Sequence, residues 1–200
     1  MSSHAIHYTS STPASKEHLS QGLAEPARED VIALHYMLAR LQEHFSPANE
    51  IAARSPILHL PEPDGRQHRI VLLNTVPLQT GETCAFVGFF GRKRTSADAG
   101  LLDALDAELI QELYDYPHML SYSSLELHDG SWGNLVLMSS PQGAVHWAGS
   151  ARHAYAAHKV APACYTTIRL HSGIVTLHGA AEASLHIQRT KHFDYAGASC

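Results

Sequence analysis

Between residues 83 and 171 the hydrophobic period of the chain changes four times, and the order of those changes admits few folds. Cys84–Phe90 is continuously apolar and aromatic around Gly88, the pattern of a strand buried on both faces. A helical stretch follows, with Thr95 or Ser96 placed to cap it and Leu101, Leu102, Leu105, Leu109 and Leu113 along one side. Pro117 closes it. Ser121–His128 and Ser131–Ser139 then alternate on either side of Asp129-Gly130, a dipeptide suited to a two-residue hairpin turn. Ser140-Pro141 opens a second helix, expected to run to about Val160. Cys164–His171 alternates again and is rich in Thr, Tyr and Ile, as a strand would be, with Ser172-Gly173 as its turn. The result is β-α-β-β-α-β, a split βαβ order with both helices on one face of an antiparallel sheet. The other face needs a cover.

The flanks add to this unit. Residues 1–26 mix Ser, Thr, His, Gln and Pro without apolar periodicity and are expected to be a flexible tail. Val31, Leu34, Leu38, Leu41 and Phe45 recur at helical spacing from Arg28 onward. A hairpin follows, with strands at 56–60 and 68–76 around Pro63-Asp64-Gly65, and Ser184–Phe193 reads as one more strand. The expected division is a tail at 1–26, a helix and hairpin extension at 27–82, and an α+β domain at 83–200. At 200 residues, 44% hydrophobic and 16% charged, the chain can bury a core. Its net charge of −5 argues against nucleic acid as a partner. No apolar run approaches the roughly 20 residues of a membrane helix. The N-terminus lacks the pattern of a secretory signal. The three cysteines, Cys84, Cys164 and Cys200, form no disulfide framework or CxxC site and fit a cytoplasmic location.

Along Trp132–His171, a strand ending in Ser139-Ser140 leads into Trp147-Ala-Gly-Ser150-Ala-Arg-His153 and then the strand Tyr165–Leu170. In this the chain resembles the dimeric α/β-barrel superfamily, which includes antibiotic-biosynthesis and haem-degrading monooxygenases. The resemblance covers about 90 residues. It implies a ferredoxin-like unit that pairs with a second copy through its sheet, making a homodimer with a small-molecule pocket between sheet and helices. Trp147 matches a tryptophan that the haem-degrading members place near the porphyrin. Their axial histidine stands ten residues further on, where this chain has Ala157, with His158 beside it and His153 four positions earlier. Their strand asparagine has no counterpart in Cys84–Phe90.

Helical geometry at about 100° per residue puts Ala144, Trp147, Ala151, Tyr155 and His158 on one stripe of a continuous helix, with His153 roughly opposite. The motif favours His153 and the count favours His158, so both are candidate catalytic or haem-ligating residues. Trp147 and Tyr155 are candidate substrate contacts. A neutral imidazole suits iron ligation or proton transfer near neutral pH, and equally suits bonding to a carbonyl or facing water. The 16 histidines contain no HExxH and no informative two-histidine, one-carboxylate spacing, so no dedicated metal site is expected. Ser121, Ser123 and Ser124 lack a nucleophile-elbow pattern. Arg92-Lys93-Arg94 is a small basic cluster able to hold an anion or sit in solvent, and Cys164 reads as a small apolar residue. Besides a structural dimer with no ligand, two functions remain open. One is an oxidoreductase of the monooxygenase-like type acting on an apolar or aromatic compound, with haem or with no cofactor. The other is a non-catalytic protein that binds haem or a hydrophobic ligand.

Overall fold

Seven strands join edge to edge in one antiparallel sheet of the computed structural model, which describes residues 26–45, 56–80, 82–177 and 183–197. The tail expected over 1–26 therefore lies, up to residue 25, outside the described residues. The strands are β1 (Ile57–Pro61), β2 (Gln67–Leu72), β3 (Thr83–Lys93), β4 (Met119–Glu126), β5 (Trp132–Met138), β6 (Tyr165–Thr176) and β7 (Ser184–Asp194). Their order across the sheet is β1-β2-β4-β5-β3-β6-β7. The β1–β2 hairpin thus extends the same sheet through β4. The two strands flanking Asp129-Gly130 pair directly, and Gly130 takes a φ of +76° that favours glycine.

The helices are α1 (Arg28–Phe45), α2 (Val76–Gln79), α3 (Ala99–Leu113), α4 (Pro141–Ala148), α5 (Ala151–Tyr155) and α6 (Ala161–Cys164), with one π-helical turn at Ala156–Val160. Among the described residues, no helix is long and apolar enough to cross a membrane. The protein is α+β.

The face that the sequence left in need of a cover carries α1. Leu34, Met37, Leu38 and Leu41 are essentially inaccessible and pack with Ile70, Phe86, Phe90, Leu125, Leu135, Leu137 and Val175. Burying each of those helix side chains contributes about 2 kcal/mol. The helix lies on the sheet face through which the resemblance implies that a second copy would pair.

Two buried polar clusters fix where α1 lies. At its first turn, Asp30 accepts hydrogen bonds from Arg169 Nε at 2.6 Å and Nη2 at 2.8 Å, and lies 2.8 Å from His171 Nε2. His171 continues to Thr190 on β7 through Nδ1 at 3.0 Å. Two turns along α1, Tyr36 donates to Glu62, and Glu62 lies 2.7 Å from His68 Nδ1 and 3.5 Å from Arg40. His68 Nε2 reaches Ser123 Oγ at 2.7 Å. Burial alone would raise both carboxyls. The bonds from Arg169 and His171, and from Tyr36 and His68, outweigh it and hold Asp30 and Glu62 below the usual carboxylate range. Burial, opposed by Glu62, lowers the His68 imidazole.

Two local expectations are corrected. Asp98, not Thr95 or Ser96, caps α3 by accepting from Leu101 N–H. Ser172-Gly173 is not a turn: β6 runs through it with a register shift against β7. A Cβ at Gly173 would stand 2.0 Å from the His186 carbonyl oxygen, so the irregularity needs glycine there.

The Asp30 cluster predicts that Asp30→Asn destabilises the fold by about 3 kcal/mol in urea unfolding, because it leaves Arg169 and His171 against a neutral amide. His68 adds a pH dependence whose sign is fixed. Its folded pKa lies below the ordinary 6.5, so the unfolded chain binds the proton more readily. Stability should be full above pH 6.5 and fall below it, with a further loss as Glu62 and Asp30 protonate in stronger acid. His68→Gln should shrink the first of the two steps in a series of urea midpoints against pH, leaving the share that His44 and His153, also lowered by burial, contribute.

Candidate functional site

The other face of the sheet is only loosely roofed. On the α1 face Phe86, Phe90, Leu135 and Leu137 are at most 1% exposed, whereas Val87, Phe89 and Val136, their neighbours on the same central strands, remain half-buried. The cause lies in α3. Of its residues only Ile110 and Leu113, near the C-terminal end, are buried, and Leu101 is 42% exposed. Midway, Asp106 accepts from Arg69 Nη2 at 2.7 Å and from Tyr122 Oη at 3.0 Å. The helix is held at its end and its middle, and its first turns stand off. An open cleft of about 420 Å3 is lined there by Leu101, Ala104, Leu105 and Glu108 of α3 and by Arg152 and Tyr155 of α5.

The second helix, expected as one piece over 141–160, is broken. Gly149 ends α4, and Ser150 starts α5 by accepting the His153 N–H at 3.0 Å while donating to Glu112 Oε1 at 2.6 Å. The break resets the helical phase, so His153, opposite Trp147 on a continuous helix, turns back to it. The two rings stand 5.3 Å apart. Trp147 in turn meets Tyr116 edge to face at 5.1 Å and packs against the buried cluster of Ala85, Leu113, Met119 and Met138. Burial holds the His153 imidazole below its ordinary pKa, against the pull of Glu112 and with the aid of His158.

The four residues singled out from sequence thus separate. Trp147 and His153 come together, half-buried, over the sheet. Tyr155, expected to face the sheet, is 53% exposed on the wall of the cleft. His158, expected inward, is exposed in the π-helical turn, whose wider winding shifts the phase again. Among the described residues no group of three or more potential metal ligands occurs. Two residues of the basic cluster are engaged by the protein itself: Arg94 bonds to the carbonyls of Pro162 and Tyr195, and Lys93 lies over Trp132, while Arg92 is exposed. Cys164 is buried, and burial raises the Cys84 thiol to about 11.

No motif announced the chain Glu62–His68–Ser123, which has the atoms and distances of a carboxylate, base and nucleophile. It does not make a hydrolytic site. Ser123 is wholly buried in the middle of β4, whose neighbours on both sides claim its backbone, so no free N–H faces a reacting carbonyl. The array fastens α1.

Two solved structures are similar to about half of this chain. Protein SO0527 from Shewanella oneidensis aligns at a TM-score of 0.42 and 13% identity, over 48% of this chain and 94% of that one. Rv0793 from Mycobacterium tuberculosis aligns at 0.38 and 22%, over 52% of this chain and all of that one. No family model matches the sequence, and no curated protein matches it.

The break at Ser150 gives a direct expectation. Ser150→Ala should cost about 1 kcal/mol in thermal or urea unfolding through loss of the cap. His153 should titrate below pH 6.5 in an NMR titration of the native protein, and its midpoint should move in Ser150→Ala as the ring loses its fixed place beside Trp147 and Glu112.

Proposed function

We propose that the chain is a small-molecule oxidoreductase of the monooxygenase-like dimeric α/β-barrel type, acting on an apolar or aromatic compound held between the sheet and α3, α4 and α5. Its core, in this reading, is a ferredoxin-like unit. The support is the strand order β4-β5-β3-β6 with helices following β3 and β5. The observation that carries the functional part is the Trp147–His153 pair: a flat aromatic wall beside an imidazole that burial keeps neutral near pH 7. The homodimer implied by the resemblance would pair two sheets face to face. Because α1 holds that face, the proposal takes the single chain as the working unit.

Haem is the cofactor that the resemblance implies, and the residues here do not fit it. Trp147 and, behind it, Tyr116 fill the ring contacts beside His153, while the open cleft is lined by neither Trp147 nor His153. The proposal therefore takes the cofactor-free form. His153 takes a proton from an acidic C–H of the substrate, and the carbanion adds to dioxygen to form a C–O bond. The peroxide regains the proton from His153 and loses water, breaking the O–O bond and leaving a carbonyl; Trp147 stands beside the imidazole ring. Binding without turnover is favoured by one observation. Glu112, the carboxylate placed to orient His153, accepts from Ser150 and lies 3.7 Å from Arg152 instead.

Oxygen uptake in the presence of a panel of phenols and hydroquinones tests the proposal. His153→Ala should lower the turnover about 100-fold or more, and Trp147→Phe should raise the substrate requirement with little change in melting temperature. Ligand-dependent tryptophan quenching with no oxygen uptake across the panel establishes the binding reading. A Soret band in freshly purified protein refutes the cofactor-free form.

A further inference from the structure

Two histidines outside the Trp147–His153 pair approach each other where α4 meets the start of β4. His118 precedes β4, and His146 lies in the last turn of α4. Their ring centres stand 5.5 Å apart with the planes inclined at 47°, neither stacked nor edge to face. The joint between the two segments is tight by construction. A Cβ on Gly143, one turn before His146, would stand 3.1 Å from the Cβ of His118 and from that of Met138, so glycine lets the helix come this close. Ser139 holds His118 from the other side. Its N–H donates to the His118 carbonyl at 2.9 Å, and its Oγ lies 3.2 Å from His118 Nδ1. Among the described residues, His118 Nε2 and both ring nitrogens of His146 have no hydrogen-bond partner. His146 is exposed and His118 half-buried, so solvent reaches the pair.

We infer that His118 and His146 are two ligands of a zinc ion, with water in its remaining positions. The site is independent of the oxidoreductase reading, and it would clasp α4 to the segment that leads into β4. Distance supports it first. Zinc bonds imidazole nitrogen at about 2.0–2.1 Å, and a tetrahedral angle between two such bonds puts the ring centres about 5 Å apart. The observed 5.5 Å needs only a slight closing of the pair. A right angle, as in a square-planar copper(II) site, would need about 4.5 Å. Orientation supports it second. A ligating imidazole donates its other N–H to a group that fixes the ring, and Ser139 Oγ is placed to receive it from His118 Nδ1, which leaves Nε2 for the metal. The donor set supports it third. Among the described residues no carboxylate or thiol joins the two imidazoles as a third ligand, and a pair of nitrogen donors suits zinc rather than calcium or magnesium, which take oxygen.

Calorimetric titration of Zn2+ into the untagged full-length protein tests this, with metal-free melting temperatures to confirm that each variant folds. The wild type should bind one ion per chain more tightly than the rest. His146→Ala, at an exposed position, should melt as the wild type does and bind that ion at least about 10-fold more weakly. His118→Ala should show the same loss, and the double variant should lose little more, because the two side chains act on one ion. Ser139→Ala should weaken binding about 10-fold without removing a ligand. His186→Ala, which removes an exposed histidine on β7, should leave the site intact. A wild type with no such site, or equal binding by the wild type and His146→Ala, overturns the assignment. Losses that simply add in the double variant, or a loss in His186→Ala as large as that in His146→Ala, show scattered binding by surface histidines and overturn it too. Unchanged binding in Ser139→Ala overturns the assignment of His118 Nε2 as the ligating atom.

Discussion

A seven-stranded sheet has two faces, and the docking of α1 on one of them settles what the other is free to do. The apolar contacts supply most of the energy. Leu34, Met37, Leu38 and Leu41 bury their whole side chains against the central strands. Such contacts are tolerant of sliding, since one leucine fits many shallow grooves. Asp30 and Tyr36 are not tolerant. Asp30 must meet a guanidinium and an imidazole on β6, and Tyr36 must meet the carboxylate that His68 also holds. A helix rotated or shifted by one residue would bury Asp30 or Glu62 without its partners, at a cost of several kcal/mol. Burial drives the docking, and the two polar clusters choose its register.

The consequence for the opposite face is an asymmetry. One side of the sheet is sealed by a single long helix with a continuous apolar stripe. The other is roofed by short pieces: α3 gripped at its middle and C-terminal end, α4 and α5 separated at Gly149 and Ser150, and a π-helical turn beyond. Short helices joined by breaks bury little area each and leave gaps between them. The half-buried aromatics, the open cleft and the unbonded amide oxygen of Asn134 all lie on this side. The sealed face, with its continuous apolar contacts, lets the fold tolerate that looseness.

How far the sequence disclosed this varies with the range of the interaction. The hairpin at Asp129-Gly130, the strands about it and the stripe of α1 rest on neighbours in sequence, and periodicity captures them. The polar clusters could not be read, since Asp30 and His171 are 141 positions apart and nothing local distinguishes His171 from the other histidines. The same holds for His68 and Ser123. Ser172-Gly173 misled because a glycine that permits a bulge and one that permits a turn look alike until the opposing His186 carbonyl is in view. Leu101 misled in another way: it has the periodicity of a buried residue, but the helix bearing it is attached elsewhere.

The disagreement between His153 and His158 has a physical resolution in one side chain. Counting 100° per residue presumes an unbroken helix, and the glycine and serine at 149–150 are the residues that most readily end one and begin another. Ser150 satisfies one of the free N–H groups in the first turn of the new helix, that of His153, and its own hydroxyl proton goes to Glu112 on α3. The spacing from Trp147 to Ser150 to His153 is thus a device rather than a coincidence of letters: three residues to the cap, then one turn back over the indole. Because Glu112 also draws on the His153 proton through space, the position of α3 and the basicity of the imidazole are linked through the same carboxylate. A shift of α3 relative to α5 would therefore change the proton affinity of the His153 imidazole along with the width of the cleft.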